Sequence, residues 1–101
     1  MTGSYVNAYV LMHPLRRRIV ESLQKEEMYT AKIARELGMA DKERLIGFHL
    51  SIMAEGGFVD GEFRLANPVT ATPKAVKYYH LTEKARATLR QIADELGASA
   101  P

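Results

Sequence analysis

The sequence predicts a small, mainly helical domain with one β-hairpin near its C-terminal end. Its 101 residues, 47% of them hydrophobic and 26% charged, suit a single globular domain with one core. Apolar residues recur at helical spacing in four segments, and one pair of strand-like segments lies between the third and the fourth. We therefore expect one domain over residues 1–101, in the order helix, helix, helix, hairpin, helix.

The N-terminal part begins with an apolar segment, residues 5–12, which can form a short helix. A longer helix should begin near Pro14, because proline at the first helical position gives up no hydrogen bond that a helix needs. His13, directly before it, is a candidate cap. Residues 15–23 place an apolar side chain at every fourth position, which predicts that one side of this helix faces the core.

A helix-turn-helix pattern follows in the middle of the chain. Thr30 is expected to cap a short helix over residues 31–37, and Gly38 is expected to end it. Asp41 is expected to cap the next helix, over residues 42–55, which a pair of glycines ends. A short helix, a turn at a glycine and a second helix together form a candidate helix-turn-helix unit.

The C-terminal part predicts a hairpin and a last helix. Residues 58–65 and 77–81 are expected to form two strands, joined by a long loop that contains two prolines. Thr82 is expected to cap a helix over residues 83–96, whose apolar residues repeat at helical spacing. A two-stranded hairpin behind a helix-turn-helix unit is the winged-helix arrangement.

Four segments of the chain strengthen this interpretation. They are HPLRRRIVESL at 13–23, IARELG at 33–38, FHLSIMAEGGFV at 48–59 and YYHLT at 78–82. In this order they resemble the ArsR-type winged helix-turn-helix transcriptional regulators, and the resemblance covers roughly residues 13–97. It implies a homodimeric repressor that binds double-stranded DNA in the cytoplasm. Many members of that family sense metals through clusters of Cys, His or carboxylate groups.

The predicted helix over residues 42–55, the second of the helix-turn-helix unit, is unusually apolar for a helix that reads bases. The register implied by the resemblance turns Ile46, Leu50 and Met53 inward and leaves a second apolar stripe, at 45, 48 and 52, on the side that such regulators turn toward DNA. Base reading favours Arg, Lys, Asn, Gln or Ser at such positions. The simplest interpretation of the second stripe is therefore core packing. The alternative function is a winged-helix module that contacts a protein partner and binds DNA weakly or not at all.

The resemblance implies DNA contacts from the third helix, the hairpin and the first long helix. The candidates are Lys42, Arg44, Phe48, Ser51, Arg64, Lys74, Lys77 and Arg16. Lys42 and Arg44 are the best placed, because the first turn of a helix commonly meets the phosphate backbone. The run of arginines at 16–18 can contact phosphates, or it can be a solvated charge run with a glutamate partner in the same helix.

The resemblance also pairs the two terminal helices of one subunit with those of a second copy. The expected interface residues are Val6, Tyr9, Val10, Ala85, Leu89, Ile92 and Leu96. Both segments are more apolar than the ends of a small monomer need to be.

Several classes of function lack support in the sequence. With no cysteine, the chain can form neither disulfides nor thiolate metal sites, and the spacing of His13, His49 and His80 predicts no metal site and no cofactor. No catalytic motif is present, so we expect no enzyme, and no apolar stretch is long enough for a membrane span. The net charge of +2 is small for a strong nucleic-acid binder.

Overall fold

The structure is a computed structural model that describes residues 8–65 and 75–99, the last four of these by their backbone alone. Residues 8–12 form helix α1. The elements that follow are α2 (Pro14–Lys25), β1 (Met28–Tyr29), α3 (Thr30–Glu36), a 3₁₀ turn (Ala40–Lys42), α4 (Glu43–Glu55), β2 (Val59–Leu65), β3 (Ala75–Leu81) and α5 (Glu83–Ser99).

Helix α2 begins as predicted. Pro14 occupies its first turn, and the backbone N–H of Leu15 donates to Nδ1 of His13 at 3.2 Å. This bond satisfies one of the N–H groups that the first turn of a helix leaves without a partner. His13 is therefore confirmed as the cap of α2.

The predicted caps of the next two helices are wrong. Thr30 is the first residue of α3 and makes no capping bond, because strand β1 runs directly into the helix. Asp41 lies within the 3₁₀ turn, where the N–H of Lys42 donates to the Met39 carbonyl at 2.8 Å, and α4 starts after it without a side-chain cap. The glycine after α3 is confirmed, because Gly38 has a positive φ of 68°, which glycine adopts without steric cost.

The sheet has three strands in the described part of the chain, not two. Strand β3 pairs antiparallel with β2, from Val59 opposite Leu81 to Leu65 opposite Ala75. On its other edge β3 pairs with β1, so the order is β1-β3-β2. The prediction missed β1 because a strand of two residues is too short to show an alternating pattern.

The last helix is capped as predicted and is longer than predicted. The Ala85 N–H donates to Oγ1 of Thr82 at 3.2 Å, and the same hydroxyl donates to the Gly57 carbonyl at 2.6 Å. The second bond ties the start of α5 to the end of α4. The helix continues to Ser99, past Gly97, where the sequence predicted its end.

One apolar core joins the helices to the sheet. Its buried members are Leu11, Ile19, Val20, Leu23, Met28, Ile33, Ala34, Ile46, Leu50, Met53, Phe58, Val59, Leu81 and Ala85. Burial of Leu11 fixes α1 to this core. Helix α4 therefore has one side in the core and the opposite side directed to solvent, which sets the geometry of the candidate interface.

Candidate nucleic-acid interface

The two sides of α4 differ sharply in burial. Ile46, Leu50 and Met53 are fully buried, as the sequence predicted. The opposite side presents Arg44, Phe48, Ser51 and Glu55 to solvent. This outward side belongs to the second helix of the helix-turn-helix unit formed by α3 and α4.

The interpretation of the second apolar stripe as core is wrong. The side chain of Phe48 is 59% exposed and that of Leu45 is 40% exposed, whereas Ile52 is half-buried. The physical reason is the helical period. Once Ile46, Leu50 and Met53 occupy the side that faces the core, the helical period places Phe48 on the opposite side and Leu45 and Ile52 between the two sides.

The cations at the start of α4 are available to a ligand. Lys42 and Arg44 are exposed, and neither side chain takes part in the ion pairs or side-chain hydrogen bonds found among the described residues. The acidic neighbour Glu43 does not neutralise them, because residues adjacent in a helix point in different directions. The Ser51 hydroxyl donates to the Gly47 carbonyl at 3.1 Å, which leaves its oxygen as an acceptor toward solvent.

The cations of the hairpin, by contrast, have partners within the protein. The guanidinium of Arg64 lies 2.6 Å from the Glu27 carboxylate and 3.5 Å from that of Glu62, and these contacts raise the pKa of Arg64. Its charge also lies over the Tyr78 ring, 5.1 Å from the ring centre.

Lys77 lies between two aromatic rings on the exposed hairpin. Its ammonium nitrogen is 5.6 Å from the ring centre of Phe63 and 5.5 Å from that of Tyr79, within the range of cation–π contacts. Lys74, the remaining predicted contact of the hairpin, lies outside the described residues.

Arg16 acts as a bridge inside the protein. Its Nε donates to Nδ1 of His49 at 3.2 Å, and its Nη1 donates to the Val10 carbonyl at 3.1 Å. The side chain thereby connects α1, α2 and α4. Arg18 also has an internal partner, because its Nη2 donates to the Leu37 carbonyl at 2.8 Å. The arginine run is thus neither a uniform phosphate-binding patch nor a freely solvated charge run.

The fold brings two of the predicted isolated histidines into contact. The rings of His13 and His49 have centres 4.7 Å apart, and Phe48 packs edge-on against His49 at 5.4 Å and 75°. Burial lowers the pKa of His49, and the nearby charges of His13 and Arg16 lower it further. Since Nδ1 of His49 accepts a hydrogen bond from Arg16, the arrangement suits a neutral His49 imidazole. No local pattern could have paired a helix cap with a residue 36 positions later.

The described residues contain no group of three or more His, Cys, Asp or Glu side chains that could hold a metal ion. Within the same part of the chain, no helix combines the length and the apolar composition that crossing a membrane requires.

The predicted interface residues of the terminal helices do not all reach the surface. A groove between α1, α2 and α5 is lined by apolar side chains that include Leu11, Met12, Leu89 and Ile92. Tyr9, 80% exposed, lies on α1 as well, and Val10 is half-buried.

Ala85 is fully buried in the core of its own chain, so it cannot contact a second copy, and this part of the prediction is wrong. Val6 and the side chain of Leu96 lie outside the described part of the chain.

Comparison with known proteins places this geometry in a family. Residues 11–62, just over half of the chain, match the family model of the helix-turn-helix domain. No curated protein matches the sequence.

Two solved structures share the fold. One is a possible transcriptional regulator for arsenical resistance, with 24% identity and a TM-score of 0.66 over 94% of this chain and 96% of that one. The other is the transcriptional repressor BigR from Xylella fastidiosa, with 19% identity and a TM-score of 0.63 over 96% of this chain and 87% of that one. These likenesses confirm the predicted winged-helix fold. The family match shows that the protein belongs to the helix-turn-helix domain family.

Proposed function

We propose that this protein is a DNA-binding transcriptional regulator that places α4 in the major groove of double-stranded DNA and acts as a homodimer. The observation that carries the proposal is the outward side of α4. As the second helix of a helix-turn-helix unit, α4 is the element that enters the groove in proteins of this design. It presents two cations, Lys42 and Arg44, that have no partner among the described residues.

The proposed contacts divide by kind. Lys42, directly before α4, and Arg44, in its first turn, are suited to phosphates. Phe48 and Ser51 lie farther along the helix and are suited to base edges. Lys77 is an exposed hairpin cation that can approach the backbone beside the groove. Arg64 is a weaker candidate because two carboxylates hold it, and Arg16 is weaker still because its guanidinium is used inside the protein. The expected cytoplasmic location belongs to the same proposal.

A titration with genomic duplex fragments tests DNA binding. Fluorescence anisotropy measured at 50 and 200 mM salt should show sequence-selective binding that weakens as salt rises, because phosphate contacts release counterions. Since the described part of the proposed interface offers only a few free cations, the slope of log affinity against log salt should be small, about two to four. Absence of binding to any duplex at 50 mM salt would contradict the proposal.

The proposed dimer uses the apolar groove between α1, α2 and α5. Met12, Leu89 and Ile92 line it, Tyr9 is exposed on α1, and a second copy would cover this apolar surface. Sedimentation should report about twice the chain mass of 11.3 kDa.

Two charged substitutions test this interface. Leu89→Asp should shift the protein to a monomer, because a carboxylate would be buried against apolar surface. Tyr9→Asp should do the same without unfolding, since Tyr9 is 80% exposed in the single chain. Gln91→Asp, on an exposed position of α5, is the matched control and should leave the dimer intact. A wild type that sediments as a monomer at high micromolar concentration would rule the interface out.

A second candidate function rests on the exposed apolar pair of α4. Phe48 and Leu45 could contact a protein partner instead of a base, which would make the domain an interaction module. The two functions differ in one measurement. A module whose partner is a protein would show no sequence-selective binding to DNA, whereas a regulator would.

A further inference from the structure

Phe48 is the most unusual residue of the proposed DNA-binding surface. Its ring is 59% exposed at the middle of the outward side of α4, between the cationic first turn and the end of the helix. The ring also has support on one side. It packs edge-on against His49, which is buried and accepts a hydrogen bond from Arg16. An apolar group is therefore presented to solvent above a buried and hydrogen-bonded neighbour.

We propose that Phe48, with Leu45 beside it, reads thymine by packing against the C5 methyl group that this base displays in the major groove. The proposal rests on the proposed function, namely DNA binding through α4. Thymine is the unmodified base that shows an apolar group in the major groove, and apolar side chains are its natural contacts. In synthetic unmethylated DNA, thymine is the sole source of this methyl.

The polar alternatives on the same surface are few. The outward side of α4 carries no Asn or Gln, the side chains that read adenine through a paired donor and acceptor. Beyond Arg44 it also carries no second Arg that could read guanine. Arg44 lies in the first turn, and the donor of Ser51 is already used within the helix. Most of the base-reading capacity in the middle of α4 is therefore apolar.

The size and surroundings of the apolar pair favour a base over a protein partner. Two partly exposed side chains offer on the order of 200 Å² of apolar surface. A stable protein interface needs about 800 Å² from each partner. The cations Lys42 and Arg44, which lie on the N-terminal side of the pair, complement a phosphate backbone. A methyl group in a groove flanked by phosphates fits both features.

The test compares thymine with deoxyuridine, which differs from it only by the methyl group. A duplex that the wild type selects from a random synthetic pool is prepared in two forms, with thymine and with deoxyuridine throughout the footprint. The wild type should bind the thymine form about fourfold more tightly for each methyl that it buries, the effect of one buried carbon. Deoxyuridine placed only outside the footprint should leave the affinity unchanged.

Two variants locate the effect. Phe48→Ala should bind both forms with nearly equal affinity, whereas Phe63→Ala, which truncates another exposed phenylalanine on the hairpin, should keep the wild-type preference. Circular dichroism and urea unfolding verify that Phe48→Ala is folded, and Phe48→Leu, which retains an apolar contact, should keep part of the preference.

The possible failures are distinct. Equal binding of the two forms by the wild type would overturn methyl reading and leave DNA binding intact. Retention of the full preference by a folded Phe48→Ala would also overturn it, because the methyl would then be read elsewhere. If the wild type selects no duplex from the pool, the proposed function fails and the reading of thymine fails with it.

Discussion

Helix α4 and the hairpin both carry cations on exposed positions, but they hold them differently. At the start of α4, Lys42 and Arg44 have no partner among the described residues. On the hairpin, Arg64 is paired with two carboxylates and Lys77 lies between two aromatic rings. The number of basic residues in a segment therefore does not measure its capacity to bind phosphate, because that capacity depends on what the fold places beside each charge.

The difference follows from the geometry of the two elements. On β2, Glu62 lies two residues from Arg64 on the same face of the strand, and the segment that leads into β1 brings Glu27 to Arg64 from the other side of β3. In α4, the acid nearest to Arg44 in sequence is Glu43, which points in another direction. The sheet therefore neutralises its cation, and the helix leaves its cations exposed.

The largest expected effect is on the free energy of unfolding, and it tests whether the outward side of α4 contributes to the stability of the fold. Leu50→Ala should lower the free energy of unfolding by about 2–5 kcal/mol, because Leu50 is fully buried. Phe48→Ala should lower it by less than about 1 kcal/mol, because more than half of that ring is already in water. Urea unfolding of both variants measures the difference. Similar losses for the two would mean that Phe48 is structural and would remove the contrast between the two sides of the helix.

The next effect compares the two arginines directly. Arg44→Ala should weaken DNA binding for all sequences and lower the salt slope by about one, as expected for a lost phosphate contact. Arg64→Ala should change the slope by much less, because its charge is already balanced. Anisotropy titrations across a salt series measure both slopes, and unfolding curves verify the fold. A folded Arg44→Ala with wild-type affinity would exclude this residue from the interface.

A smaller effect concerns pH and the anchoring of α4. Burial, together with His13 and Arg16, lowers the pKa of His49 below its ordinary value near 6.5. Between these two pKa values the unfolded chain binds more protons than the folded one, so the free energy of unfolding rises with pH. The contribution of neutral His49 to the free energy of unfolding is complete above pH 6.5, and it is lost as the pH falls toward the lowered pKa. Its slope stays below about 1.4 kcal/mol per pH unit, the limit for one proton.

Urea unfolding at pH 5, 6 and 7 measures this slope. His49→Asn, whose side-chain oxygen can still accept a hydrogen bond from Arg16, should flatten it. An unchanged slope in His49→Asn would show that another group is responsible.

The fold could be predicted from the sequence to a large extent, because its signals are local. Pro14, Gly38 and Thr82 act on the backbone within a few residues, and the inward stripe of α4 repeats at the helical period. Strand β1 could not be predicted, since two residues carry no period and their pairing with β3 depends on contacts about 50 positions away.

The candidate site was harder to predict from the sequence than the fold, because it depends on contacts between residues far apart in the chain. The residue types at 42, 44, 48 and 51 and the resemblance were enough to nominate α4. Whether each side chain is available depends on long-range contacts, such as Arg16 with His49 and Arg64 with Glu27. Exposure of Phe48 could have been inferred from the inward stripe alone, had the apolar character of the residue not favoured the core.

The smallest expected effect comes from releasing Arg64 from its closer carboxylate, so that the hairpin, like the start of α4, offers a less neutralised cation. Glu27→Gln removes the closer of the two carboxylates from Arg64 and leaves Glu62, whose contact is longer. The free energy of unfolding should change by less than about 1 kcal/mol, because the pair is exposed to solvent. If the hairpin lies beside the DNA backbone, the released charge should tighten binding slightly and raise the salt slope by at most about one. Glu26→Gln, which removes the partner of Lys32 instead, is the matched control, since it alters the protein's net charge equally without touching the hairpin. An equal gain in both variants would reflect net charge alone, and a gain confined to Glu27→Gln would place Arg64 within reach of a phosphate.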